Sequence, residues 1–392
     1  MRRLLFAAAF AIAALCAWLA LEPWLRPSVV VLLFHHTPDF EPVAAWLERH
    51  GHHSLTSAEL RAFLRGQFRP PRGSVVLTFD DGDATNHLSA APALKRHGFT
   101  GIFFTLTDRM GDGPPRVSGS PPADSIADAP PDADMYAARH PGRPDPWSMR
   151  WSEARLLEAG GAGEVGSHTA SHHFAFRSDS LLGFMLSPGW RETDALGGSA
   201  TRGAPRFEGG PALLAPEFQP DKGMVEALAR AAAGARVGAG AASGMRGRDR
   251  AAVPASLVAP LPVDSLRAIV RTFRQAGRAG VYETPAAYET RLTRELDGSR
   301  RRLSDSLGRD VRLLAWPWGR WSPELRERAR RAGYTLIFTV QPRACVRGDD
   351  SLAVPRVSAR PDTAWLHDAL RIFSRPTLGR FYGRLHPPVY PS

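Results

Sequence analysis

Cysteine is almost missing from these 392 residues: Cys16 lies inside an N-terminal apolar run and Cys345 far down the chain. Two cysteines so placed supply no disulfide framework, which leaves the fold to rest on a packed core. Lysine is nearly as scarce, with Lys95 and Lys222 alone in an otherwise all-arginine set of 50 basic residues. The formal net charge of +11 favours anionic partners such as lipid headgroups or acidic polymers. Nucleic acid is not the expected partner. No zinc finger, basic zipper or RNA-binding aromatic signature is present, and the arginines are scattered through helical stretches rather than gathered in one stripe. No repeat of fixed period is found, which argues against a solenoid or a propeller.

What is present is enough chain to bury a large core. A 43% hydrophobic, 23% charged composition is that of a globular protein, and 36 glycines with 34 prolines imply long irregular loops around it. Arg2 and Arg3 precede an uninterrupted apolar run from Leu4 to Leu21, long enough to cross most of a bilayer. No small-x-small cleavage site follows cleanly, and Leu15 makes a poor lipoprotein site before Cys16. The expectation is an uncleaved signal anchor over residues 1–27 with its basic flank inside. It would place the protein at a bacterial inner membrane facing the periplasm or exterior, or secrete it if cleaved.

Buried strands are expected at Val29–Phe34, Ser74–Phe79, Gly101–Thr105, Glu164–Ser167, Val311–Trp316, Thr335–Val340 and Leu352–Val357, because each is a short apolar or β-branched run. Amphipathic stretches alternate with them, among them a capping box at Thr56 and Glu59, a stripe from Tyr288 to Leu307 closed by Gly308, and a helix begun by Ser322 and Pro323. Such alternation argues for a parallel α/β barrel or a doubly wound sheet. One catalytic domain is expected over residues 28–392, with irregular insertions at about 111–146 and 177–259.

Polar clusters fall where strands end, the active face of parallel α/β folds. Asp80 and Asp81 close the strand through Phe79, with Gly82 permitting a sharp turn. Adjacent carboxylates oppose one another's ionisation unless a cation or a division of roles separates them. A polar turn capping the next helix would use the same residues. Gly166 to His173 follows another strand, and a helical turn begun at His168 would put His168 and His172 on one side, able to grip one metal, with His173 as a spare. An aspartate with two histidines suits hydrolytic zinc and also a non-haem iron oxygenase. Trp316 and Trp318 offer indole faces for a sugar ring at a third strand end, or else pack into the core, Trp316 more readily than Trp318. His35 or His36, ending the first strand, could deliver a proton.

Together these segments resemble the polysaccharide deacetylases of the NodB-homology type, carbohydrate esterase family four, and among them the biofilm poly-N-acetylglucosamine deacetylases. The resemblance implies a distorted parallel (β/α) barrel. In TFDDG it makes Asp80 the catalytic base and Asp81 a metal ligand; in HTASH it makes His168 and His172 the other ligands, with His173 able to replace His172. Phe34-His35 and Trp316-Pro317-Trp318-Gly319 match further motifs of that subgroup, which casts His35 as general acid and the tryptophans as sugar-binding. The implied activity is hydrolytic removal of N-acetyl groups from N-acetylglucosamine-type polysaccharide, a reaction at a carbon-nitrogen bond other than a peptide bond. A divalent ion is required, zinc first, then nickel, cobalt or iron. The oxyanion would be held by that ion and a backbone N–H near Thr169 or Ala170. Implied partners are the N-acetylated polymer, the membrane through the N-terminal segment, and exopolysaccharide synthesis or export machinery. A tethered glycan-binding protein without turnover would share the fold. The glycine- and alanine-rich insertions depart from the family, as does the lack of a following glycoside-hydrolase domain.

Overall fold

The computed structural model describes residues 2–117, 133–234, 261–360 and 362–385. The chain divides into two compact units, Met1–Pro130 with Gly142–His172 and Leu292–Ser392, and Pro131–Pro141 with His173–Arg291. The expected insertions at about 111–146 and 177–259 lie partly outside the described residues, over 118–132 and 235–259.

The first unit opens with strands β1 (Ser28–Phe34), β2 (His53–Ser54), β3 (Ser74–Phe79), β4 (Gly101–Thr105) and β5 (Gly163–Ser167). In the second unit follow β6 (Phe174–Phe184), β7 (Pro205–Pro211), β8 (Phe218–Pro220) and β9 (Gly280–Tyr282). The chain then returns to the first unit with β10 (Leu313–Ala315), β11 (Leu336–Phe338), β12 (Cys345–Val346) and β13 (Val357–Ser358). The first unit's sheet runs β11-β10-β5-β4-β3-β1-β12, with β13 parallel to β1 and β2 parallel to β3. Every pairing but β1 with β12 is parallel. A bridge from Phe338 to Val354 sets the segment before β13 against β11, so the sheet curls back toward β1. This is the distorted parallel barrel that the strand pattern and the resemblance imply.

Strand alternation sorts its two apolar layers. Val30, Leu32, Phe34, Val75, Leu77, Phe79 and Val165 pack outward with the helices Glu41–Arg49, Trp151–Ala159 and Thr363–Phe373. Val29, Val31, Val76, Ile102, Phe104, Leu313, Ala315, Leu336 and Phe338 form the layer enclosed by the curl. The Thr56–Glu59 capping box forms as expected at the helix Ser57–Leu64, whose Leu60, Phe63 and Leu64 pack with this layer.

The N-terminal run is helical, within Arg2–Leu25, but no helix among the described residues is long and apolar enough to cross a membrane. The expected spanning anchor is therefore not found there. The helix's C-terminal end is instead held by protein contacts: Glu22 is buried, and its carboxylate accepts from the backbone N–H and hydroxyl of Thr377.

Over residues 177–234 the second unit corrects the expectation of an irregular insertion, while the helix that the shared face of Leu266, Ile269, Val270 and Phe273 implies is present as Val263–Gln275. Antiparallel β6 and β7, antiparallel β8 and β9, and the helices Trp190–Ala195, Lys222–Gly234 and Val263–Gln275 surround a core of Phe176, Phe207, Phe218, Met224, Leu228, Leu266 and Val270. Its apolar residues are widely spaced and its strand register is broken by bulges, which hides the period from a linear reading.

One glycine of the barrel is demanded by space. A Cβ on Gly166 would lie 2.7 Å from Phe104 and 3.0 Å from Leu313. Gly166→Ala should therefore cost about 1–3 kcal/mol by overpacking, read as a lowered urea midpoint at unchanged slope; an unchanged midpoint would refute the crowding.

Candidate metal centre

The period that orders the core also orders the site. Since Val76 belongs to the enclosed layer, Thr78 and Asp80 share its side of β3. Asp80 is 2% exposed, and the fully buried Arg356 grips both its oxygens, at 2.7 Å from Oδ1 and 2.8 Å from Oδ2. Arg356 also donates to the Thr339 carbonyl and the Thr78 hydroxyl, so the guanidinium is fixed from several sides.

The next residue turns away sharply. Asp81 and Gly82 both adopt left-handed backbone, with φ of 65° and 63°. Asp81 Oδ1 then lies 3.4 Å from His168 Nε2 and 3.9 Å from His172 Nε2. All three ligand atoms fall within 4.8 Å of one another, close enough for one ion to draw them together with small side-chain shifts.

The two histidines do not meet through a helical turn, as the four-residue spacing suggests. Residues 168–173 are irregular, and left-handed backbone at Thr169 (φ 73°) and His172 (φ 58°) folds the loop back on itself. Glu295 holds it there. Its buried carboxylate accepts the N–H groups of Ala170 and Ser171, both at 3.0 Å, and the Ser171 hydroxyl at 2.7 Å. Glu295 comes from a π-helical stretch, Arg294–Gly298, between the helices Pro285–Thr293 and Ser299–Leu307. Because Thr169 N–H is taken by the Ser167 hydroxyl and Ala170 N–H by Glu295, neither is available for the oxyanion role expected of them.

Three observations fit the Asp81-His168-His172 set to a cation. Asp81 Oδ1 is enclosed and has no hydrogen-bond partner, a costly state for a carboxylate oxygen without a ligand. His168 Nδ1 bonds the Ala315 carbonyl at 2.8 Å, which places the ring proton there and aims the Nε2 lone pair at Asp81. Protonation supplies the third. Burial alone would raise Asp81, but the nearby His168 ring and the charges of His172 and His35 hold its carboxyl well below the usual range. Burial pushes His172 well below the ordinary imidazole value against the pull of Asp81. An ionised carboxylate and a neutral imidazole are the forms that donate to a metal. Burial would also lower His168, but the Asp80 and Asp81 charges outweigh it and raise that imidazole.

The remaining expected residues separate. His35, exposed at the end of β1, is near enough for its charge to lower Asp81 and His172, whereas His36 is bound to Asp83 at 3.1 Å. Trp318, in left-handed backbone, lays its ring 3.9 Å from that of His172. Trp316 is 0% exposed, so it backs the site and presents no face to a sugar, contrary to expectation.

His173 does not stand in for His172. Its ring lies 2.8 Å from Asp194 and 3.5 Å from Glu217 within the second unit. Burial would lower its pKa, but those two carboxylates push it up to about 10, and a protonated imidazole has no lone pair to offer.

Two functional positions have signals in the sequence that point to no role by themselves: Arg356 interrupts an apolar strand, and Glu295 shares a helical stripe with Leu292 and Leu296. A charged residue inside an apolar pattern is buried only with a partner.

Comparison with known proteins agrees with this geometry. Residues 68–182, which carry Asp80, Asp81, His168 and His172, match the family model for polysaccharide deacetylases. The YxkH protein of Bacillus subtilis strain 168, assigned by name to the same family, is 28% identical over 106 residues, 24% of this chain. That match spans 37% of YxkH, little over a third of its length. Among solved structures, the de-N-acetylase of Aggregatibacter actinomycetemcomitans superposes with a TM-score of 0.51 at 17% identity, over 87% of this chain and 99% of that one. The BpsB deacetylase domain of Bordetella bronchiseptica gives 0.50 at 16% identity, over 85% and 96%. Likeness at such identities establishes a shared fold. Residues 68–182 are thus similar to the polysaccharide deacetylases, and the barrel is the fold of the solved deacetylase structures.

Two measurements follow. His172→Ala should weaken zinc binding by roughly tenfold or more while His173→Ala leaves it unchanged, read by competition with a chromophoric chelator; the opposite pattern would exchange the two residues. For His173 the folded pKa exceeds the ordinary 6.5, so its stabilisation is complete below pH 6.5 and fades as pH rises towards about 10. Hydrogen exchange at the Phe174 amide, which donates to Asp194, should therefore quicken over that window, and in His173→Gln that stability-linked rise should disappear.

Proposed function

We propose that the protein is a metal-dependent N-deacetylase that removes acetyl groups from N-acetylglucosamine-type polysaccharide outside the cytoplasm. One observation carries the reading: an enclosed, unpartnered Asp81 oxygen faces two imidazole nitrogens beside a second carboxylate, Asp80, whose orientation a buried arginine fixes. An oxygenase centre would have no use for that second carboxylate. Export is supported by the basic flank and apolar run at the N-terminus. The polymer is supported by the family match and by the Trp318 indole next to His172. Machinery for exopolysaccharide synthesis or export is the fitting partner of such an activity.

A divalent ion held by Asp81, His168 and His172, zinc first and nickel, cobalt or iron as alternatives, supplies carbonyl polarisation and a water of lowered pKa. The chain's own groups do the rest. Asp80 accepts the proton of the attacking water, and Arg356 keeps both Asp80 oxygens from rotating out of place. Trp318 gives the sugar ring a flat wall beside His172. As the amide C–N bond breaks, His35 donates its proton to the departing nitrogen, releasing acetate and a free amino sugar.

Asp80→Asn should retain metal and lose about 10²–10⁴-fold in turnover on chito-oligomers or poly-N-acetylglucosamine, measured as acetate released. Full turnover in this variant would remove Asp80 as base. Glycan binding without acetate release by the metal-loaded wild type would leave a binding protein in place of an enzyme.

A further inference from the structure

At the other end of the barrel lies a concave site. A cleft of about 480 Å³ opens beside Ser28 and Ser74, the first residues of β1 and β3. His35 and Asp80 lie beyond the last residues of the same strands, so roughly 20 Å of β-strand separates the cleft from the metal centre.

Its lining is one-sided in charge. Arg69, Arg72, Arg371 and Arg375 line it, together with His50, His52 and His367, and neither aspartate nor glutamate does. Among the described residues none of the four arginines forms an ion pair with a carboxylate. Two of them are committed in part to the N-terminal helix: Arg69 donates to the Trp24 carbonyl and Arg375 to the Leu19 carbonyl. Arg72 lies 3.6 Å over the Trp24 ring, which orients its guanidinium without neutralising it. Four cations held together without counter-charge raise one another's energy, and an anion bound among them relieves it.

The neighbourhood adds a second, independent property. The helix that supplies Trp24 exposes Phe6, Phe10, Leu15, Trp18, Leu21 and Leu25. An apolar helix ending at an uncompensated arginine cluster matches an interface with acyl chains on one side and phosphate on the other. The cleft floor is aromatic as well: Trp46 stacks on His50 with centroids 4.0 Å apart.

We propose that this cleft is an anion site for a phosphate group, carried on a lipid headgroup or free in solution, with Arg72 and Arg371 as its uncommitted donors. It is separate from the deacetylation site and does not depend on that reading.

The test uses the full chain in non-ionic detergent, titrated with inorganic phosphate by calorimetry, and the full chain mixed with vesicles of phosphatidylcholine alone or with phosphatidylglycerol added, read by co-sedimentation. Arg72→Gln with Arg371→Gln is the variant, since neither side chain holds the helix through a hydrogen bond. The wild type should bind phosphate or prefer the phosphatidylglycerol vesicles, and the variant should lose that binding by roughly tenfold or more. The variant should remain folded, and its deacetylation of soluble oligomers should not change. Loss of the vesicle preference marks a lipid headgroup as the occupant; loss of phosphate binding alone marks the free anion. A folded variant that binds both probes like the wild type, or a wild type that binds neither, overturns the proposal.

Discussion

Glu295 accepts two consecutive backbone N–H groups from a loop that has no regular structure of its own, and the metal centre depends on that carboxylate. Left to local preference, non-glycine residues avoid positive φ, and this loop contains two, Thr169 and His172. Strain of that kind persists only where surrounding structure over-determines it. Here the over-determination comes from a π-helical stretch and the helix that follows it, in which Glu295, Leu296 and Ser299 are all buried. Against that anchor His172 folds back toward Asp81.

The same logic extends around the site. The four non-glycine residues of positive φ among the described residues are Asp81, Thr169, His172 and Trp318. Two are ligand candidates, one lies between the histidines and one stacks on His172. Backbone strain is concentrated where side chains must converge from separate strand ends. Arg356 performs the complementary task inside the barrel. Breaking its ion pair with Asp80 by removing one partner would strand a buried charge, so the pair fixes the barrel interior as well as the carboxylate.

The barrel was legible in the sequence because parallel strands buried on both faces read as short apolar runs, and Asp80, Asp81 and His168 because they follow such runs directly. The routes by which side chains meet were less legible. His168 and His172 converge through positive φ, which spacing cannot encode, so a helical turn was expected where a folded-back loop exists. Trp316 reads like Trp318 in sequence, yet it is fully buried while Trp318 reaches His172. His173 is indistinguishable from His172 until Asp194 and Glu217, 21 and 44 positions away, are seen to claim it. Of the second unit, the helix with Leu266 and Val270 reads as amphipathic, while the rest is hidden because its core draws one or two residues from each of several elements.

The first and last described helices share a fastening. The Thr377 N–H and hydroxyl are satisfied by the Glu22 carboxylate, and the Trp18 indole N–H lies 3.3 Å from the Thr377 hydroxyl. Cutting the chain at Pro27 to obtain a more tractable protein is therefore not a neutral edit. It would strip the start of the helix Pro376–Leu385 of its acceptor and remove Trp24 from the wall of the arginine-lined cleft, so a shortened form would misrepresent the end of the barrel farthest from the chemistry.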